Sequence, residues 1–194
     1  GYQHTVVPQS ATGMFFGRRE SNIKPLPDKI LTVGNETKDI MMKYGNYSDK
    51  YVVPSCALRY EYLKSVPTKP RKIIKTILIA LEGVPEVTRL VDYVLSHANL
   101  LIGISIKIRT HPVLPWKSIC QKIAFDLNSF PNVSVSSDTL LEDLMRSDIC
   151  LYWGSTVALE ALSMGMPLIH YDMQTVLSYD PLFCCQHLKW ILND

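Results

Sequence analysis

No stretch of this sequence approaches the roughly 20 consecutive apolar residues that a bilayer-spanning helix needs. The two nearest candidates, ILIAL (77–81) and LIGISIKI (101–108), are both cut short by charge, glycine or turn residues. The opening residues, GYQHTVVPQS, hold no basic segment followed by an apolar one, which argues against a signal peptide. They also lack Met, so the chain is expected to be a piece of a longer one. Charge of either sign is scarcely in excess: 20 Lys+Arg against 18 Asp+Glu leave +2, too little to make nucleic acid or an anionic membrane the main partner. Any anionic ligand must be held locally. Five cysteines (Cys56, Cys120, Cys150, Cys184, Cys185) are an odd number with no Cys-x-x-Cys spacing, which argues against structural zinc. Cys150 falls in an apolar run and Cys120 in a helical pattern, so both read as reduced core thiols of a cytoplasmic protein.

What is present centres on SDICLYWGSTVALEALSMGMPLIH (147–170). Its two apolar runs are too short for solvated helices and lack strict alternation, as strands covered on both faces of a parallel sheet do. The reading is a strand over 148–153, a turn Gly154-Ser155-Thr156, a helix over 157–164, Gly165, and a second strand over 167–171. Ser155 and Thr156 stand where a helix begins. They either cap it or, with the unpaired backbone N–H groups, face an anion beyond the strand's carboxyl end.

Along the chain, residues 1–7 suggest a strand leading to a loop with Gln3 and His4, and 8–27 an exposed connection with a basic pair. PDKILTVG reads as a strand ending at Gly34. NETKDIMMKYG follows as a helix capped by Asn35 or Thr37 and closing at Gly45, with a strand over 50–53 after it. PTKP (67–70) is the linker candidate. Beyond it, strands at 72–81, 104–109 and 133–135 alternate with helices at 85–98, 115–128 and 139–146 before the central unit. The C-terminal segment breaks at Asp180-Pro181 and is expected to end in a short helix. The class is therefore α/β: a Rossmann-like parallel sheet with helices on both faces.

In this class ligands sit outside the carboxyl ends of the strands. Those ends carry Glu82-Gly83, Arg109-Thr110-His111-Pro112 and Gly154-Ser155-Thr156, a set suited to a diphosphate or nucleotide. Each has a plainer alternative. His111 could hydrogen-bond backbone at its proline turn, Arg109 could pair with Asp148, and Glu82 could cap the next helix or act as a base. Glu160, one turn beyond Thr156, could hold ribose or sugar hydroxyls or simply be solvated. Tyr152-Trp153 could stack on a base or pack internally, and Gly83, Gly154 and Gly165 read as turn glycines needing close backbone approach.

These residues resemble the nucleotide-sugar-binding half of GT-B glycosyltransferases, especially bacterial surface-polysaccharide enzymes of the CMP-sugar, sialyl and Kdo types. A strand ending in His111-Pro112 is followed by NVSVSSDTLLEDLMRSDICLYWGSTVALEALSMGMPLI (132–169), with Glu160 in a Glu-Ala-Leu-x-x-Gly-x-Pro run. The resemblance covers 70–172 well and the first 65 residues loosely; GYQH is similar to a Gln-x-His element closing the acceptor half. It implies the C-terminal half of a GT-B enzyme (67–194) preceded by the end of its acceptor-side half (1–66). The implied donor is a nucleotide-activated sugar, CMP-linked first and UDP- or CDP-linked second, and the acceptor is a glycan or lipid-linked. Catalysis would need neither metal nor cofactor, and the missing half could sit peripherally at the inner membrane. The resemblance carries donor binding over to His111, Pro112, Ser155, Thr156 and Glu160, and the strand-end reading adds Gly83, Arg109 and Gly154. It leaves His4 and Glu82 as catalytic candidates. Two departures stand out: no full acceptor half precedes the segment, and the acidic-acidic-glycine base motif survives only as Glu82-Gly83. A piece without its acceptor half is expected to bind donor but transfer no sugar. A non-catalytic nucleotide-sugar-binding module, a CDP-linked polyol-phosphate transferase and a UDP-sugar epimerase share parts of the pattern.

Overall fold

The computed structural model of the protein describes residues 1–17, 19–20, 23–68 and 73–193. Arg18 of the predicted basic pair, Lys69 and Pro70 of the predicted linker, and Lys72 at the predicted strand start lie outside them.

The first sheet is small. Strands β1 (Ile30–Thr32) and β2 (Val52–Pro54) pair in parallel around helix α1 (Asn35–Gly45), and Ile30, Met41 and Val52 form its core. The predicted N-terminal strand is reduced to one bridge, Tyr2 to Leu31, because β1 is only three residues long and leaves nothing further to pair with. Neither Asn35 nor Thr37 caps α1. Gly34 holds the N-cap position without a side-chain bond, and the helix closes on Asn46, whose φ of 55° is left-handed.

The second sheet has six parallel strands: β3 (Thr76–Ala80), β4 (Ser105–Arg109), β5 (Val133–Val135), β6 (Ile149–Tyr152), β7 (Leu168–Asp172) and β8 (Lys189–Asn193). Their order across the sheet is β5-β4-β3-β6-β7-β8. The chain thus starts in the middle, runs outward to one edge, and crosses back to build the other. Helix α2 (Val87–His97) covers the face that carries Ile79, Ile106 and Leu151. Helices α4 (Leu140–Arg146) and α5 (Val157–Ser163) cover the face that carries Leu78, Cys150 and Leu168. With both faces covered, Leu78, Ile79 and Ala80 are each at most 1% exposed, which is why β3 is an unbroken apolar run.

Three expectations fail. The helix over 115–128 shrinks to α3 (Trp116–Ile119) followed by turns and a short 3₁₀ segment at Leu127–Ser129. Ile123, Phe125 and Leu127 turn to the α2-side core, and the Ala124 N–H is taken by Asp92 instead of a helix carbonyl. Cys120 is consequently exposed, while Cys150 is buried. The C-terminal segment forms β8, because pairing with β7 satisfies its backbone and its first residue has a buried partner: Lys189 Nζ lies 2.8 Å from Asp180 Oδ2, and both side chains are almost fully enclosed.

Asp180 also accepts from Tyr152 Oη (2.9 Å) and from the Leu182 N–H (2.8 Å), so one carboxylate joins β6, the 180–182 turn and β8. Asp180→Ala leaves a buried ammonium without its counter-ion and should lower unfolding free energy by about 3–5 kcal/mol in urea titrations. The double variant Asp180→Leu/Lys189→Met should recover part of that loss.

Candidate functional site

The strand order reverses between β3 and β6. The chain leaves β3 toward α2 on one face and leaves β6 toward α5 on the other, so the two loops diverge and open a crevice at the carboxyl ends of these strands. Glu82, Gly83, Gly154 and Ser155 are the residues at that point.

Two glycines let the loops approach. A Cβ on Gly83 would collide with Val113 Cγ2 and stand 2.7 Å from His111 Nδ1. One on Gly154 would collide with Glu82 Oε1 and lie 2.9 Å from Tyr179 Cβ. The close-approach role expected of both glycines is met, and Gly165 takes the expected turn conformation with φ of 71°.

Glu82 is the most unusual group in the crevice. Its Oε1 is buried without a hydrogen-bond partner. Burial pushes its pKa up to about 7; the Gly154 backbone opposes the shift and Glu86 adds to it. Glu82 does not cap α2, whose N-cap position belongs to Glu86. His111 is exposed beside Gly83, and its Nδ1 accepts the Val113 N–H at 3.3 Å, which leaves Nε2 outward as the donor of the neutral ring. Pro112, also exposed, shapes this turn.

Ser155 is only 5% exposed, and its hydroxyl makes no hydrogen bond among the described residues. Thr156 occupies the N-cap position of α5 but is already helical (φ −66°, ψ −14°) and forms no side-chain cap. The capping reading therefore fails for both. α5 itself has seven residues, too short to make its end the main attraction for an anion.

Other predicted residues are engaged elsewhere. The Arg109 guanidinium binds Asp143 Oδ2 at 2.7 Å and the Asp138 carbonyl at 2.9 Å. The expected partner, Asp148, instead accepts the N–H groups of Lys75 (2.9 Å) and Thr76 (3.0 Å). Asp143 is fully buried and also takes Ser136 Oγ at 2.7 Å and Lys107 Nζ at 3.5 Å. It is not among the residues singled out from the sequence. The available signal was Lys107 and Arg109 two apart on one strand, calling for a shared carboxylate.

Glu160 is buried, not solvated, and accepts Tyr62 Oη at 2.9 Å from the 3₁₀ helix Leu58–Ser65. Burial raises its pKa against the lowering effects of Tyr62, Arg59 and Arg109. One of its oxygens is thus committed within the fold. Tyr152 and Trp153 are packing residues, 0% and 4% exposed. Trp153 lies 4.8 Å from the ring of Tyr179, a wall of the crevice that nothing in the sequence singled out. Its loop is tied to the N-terminal segment, since Ser10 N donates to the Ser178 carbonyl (3.0 Å) and Ser178 N to Gln9 Oε1 (3.1 Å). His4 is exposed, and no hydrogen bond or ion pair joins it to Glu82, so the two catalytic candidates are not brought together.

A separate cleft of about 470 Å³ lies between Val7, Glu36 and Ile40 on one side and Leu159, Cys184 and His187 on the other. It contains none of the predicted site residues. Among the described residues no group of three His, Cys, Asp or Glu is placed to hold a metal ion.

No protein-family model matches the chain, and no curated protein matches it significantly. Solved structures do. A Methanocaldococcus jannaschii UDP-GlcNAc 2-epimerase in complex with UDP-GlcNAc and UDP is similar over 86% of this chain and 50% of its own, with TM-score 0.58 and 14% identity. The S. aureus MnaA–UDP structure matches over 79% and 44%, with TM-score 0.54 and 16% identity. The glycosyltransferase of kitacinnamycin matches over 86% and 42%, with TM-score 0.53 and 14% identity. The chain spans half or less of each of these proteins. The likeness establishes the fold, the Rossmann-like α/β arrangement of GT-B neighbours.

The Glu82 shift has a measurable effect on stability. The folded state holds this proton up to pH about 7, whereas the unfolded chain releases it near 4.5. Between those values the folded state binds more protons, so the contribution of Glu82 to stability falls as pH rises through this window and levels off above 7. The integrated loss is about 3 kcal/mol. Glu82→Gln should therefore be stabilised relative to wild type increasingly from pH 5 to pH 8 in parallel urea melts; a constant difference would refute the buried-acid assignment.

Proposed function

We propose that the chain is the donor-binding part of a glycosyltransferase of surface-polysaccharide synthesis, taking a nucleotide-activated sugar, CMP-linked first and UDP- or CDP-linked second. The observation that carries this reading is the meeting of Glu82, Gly83, His111, Gly154 and Ser155 at the one reversal point of a six-stranded parallel sheet, where phosphate-bearing ligands bind in this class. Two of the similar solved structures contain UDP, which supports a nucleotide at this edge.

Ser155, with an unengaged hydroxyl, and the outward Nε2 of His111 donate to the phosphates, and Gly83 and Gly154 admit the ligand to the backbone. Arg109 acts through its ion pair with Asp143, adding positive potential without direct contact. Glu160 offers its remaining oxygen to a sugar or ribose hydroxyl. Pro112 and Thr156 shape the two loops. Residues 1–66 are read as the end of the acceptor-side half and 67–194 as the donor half. A glycan or lipid-linked acceptor, with its activating group, comes from the acceptor side, where His4 lies. No helix among the described residues is long and apolar enough to cross a membrane; a cytoplasmic location, peripheral to a membrane through the other half, belongs to the proposal.

Ser155→Ala removes a charge-assisted hydrogen bond and should weaken nucleotide binding by about 1.5–3 kcal/mol. His111→Ala should weaken it as well. Wild-type affinity for CMP or UDP is expected on the order of 0.1–1 mM, since an open half-site leaves phosphates hydrated. Calorimetry with CMP, CDP, UDP and GDP measures both effects and ranks the bases. Unchanged affinity in Ser155→Ala moves the site elsewhere, and no binding of any nucleotide at several millimolar refutes the function. Epimerisation of UDP-GlcNAc without an acceptor would replace transfer with the epimerase reading.

A further inference from the structure

The crevice holds a carboxyl group where the proposed ligand brings phosphates, and that conflict points to a specific chemistry. An ionised Glu82 offers only acceptors, as do phosphoryl oxygens, so the two would repel. A protonated Glu82 has one O–H to give. We infer that Glu82 joins the nucleotide-sugar site as a neutral acid, its carboxyl O–H donating a hydrogen bond to a phosphoryl oxygen of the donor, so that binding takes up a proton. The inference rests on the donor-site reading above and adds a charge rule to it: the ligand must present an acceptor to Glu82.

The geometry supports the neutral form. Oε1 is enclosed beside Gly154 and makes no hydrogen bond among the described residues, and the β-carbon of Tyr179 also stands against Gly154. Among the described residues no cation pairs with Glu82. The basic residue ending the neighbouring strand, Arg109, is held by Asp143. The titratable groups around Glu82 are Glu86 on its own segment, whose charge opposes ionisation, His111 beside Gly83, and Tyr179 on the loop after β7. Its proton therefore leaves in the neutral range, where binding can recapture it.

No bond to the sugar forms or breaks in this step. One proton passes from solvent to the carboxylate and stays on it, shared with a phosphoryl oxygen, until the ligand leaves. In a transfer reaction the same O–H would lie beside the phosphate that gains charge as the sugar departs.

The probes are UDP-N-acetylglucosamine and CMP-N-acetylneuraminic acid, whose esterified phosphates have no ionisation between pH 6 and 8 to confuse the result. With Glu82 pushed to about 7, wild-type affinity should fall about tenfold from pH 6 to pH 8. Calorimetry at pH 7 in two buffers of different ionisation enthalpy should show uptake of about half a proton. Glu82→Gln, a neutral donor of the same shape, should bind with little dependence on pH and more tightly than wild type at pH 8. Proton uptake and pH dependence that persist in Glu82→Gln would assign them to His111 and overturn the inference. Binding that is flat with pH in wild type would overturn it too, while leaving the donor site intact. Binding of neither probe at either pH would refute both. Should Glu82→Gln not fold, carbon-13 titration of the Glu82 carboxyl in wild type decides: its pKa must rise on adding ligand, and a fall refutes the inference.

Discussion

The structure depends on the central placement of β3. Because the first strand of the large sheet is laid down in the middle, every later strand takes its register from it directly or through one or two intervening strands. Right-handed crossovers then require the helices after β3 and β6 to leave on opposite faces. The crevice between Gly83 and Gly154 follows from this routing and needs no special sequence to open it. What the sequence must supply is side chains small enough not to close it, and two glycines do so.

Four buried or half-buried carboxyl groups show how differently the same chemistry is used. Asp143 and Asp180 each meet a cation within 2.8 Å and join elements that the backbone alone does not connect. Glu160 is held by a phenol, which satisfies an oxygen without neutralising charge. Glu82 has neither among the described residues, and one of its oxygens is buried beside Gly154 without a partner. Paired carboxylates are interior fastenings here; the unpaired one marks where something from outside is accommodated.

Much of the fold could be read from residues because parallel strands covered on both faces read as short apolar runs, as β3 and β6 do, while β4 declares itself by isoleucines alternating with polar residues. The α1 range, Asn35–Gly45, follows equally well from local periodicity. The failures share a cause. The 115–128 segment has helical spacing, yet its apolar residues serve a core that approaches from more than one side. β8 looks helical until Asp180 supplies a buried partner for Lys189. Long-range pairing decided both, and local patterns do not record it. The same holds at the site: the residue types at the strand ends were legible, whereas the capture of Arg109 by Asp143, the burial of Glu160 under Tyr62 and the arrival of Tyr179 depend on residues tens of positions away.

Trp153 follows β6 with its ring almost wholly enclosed, and its ring neighbour is Tyr179. Of the other two tryptophans, Trp190 is largely exposed and Trp116 half-buried. Indole emission shifts with the polarity around the ring, so the enclosed Trp153 contributes the bluest part of the spectrum. Anything that enters beside Gly154 must press on Tyr179, and through it on that indole. The chain therefore carries its own optical gauge of whether the crevice is open or filled, with no label attached.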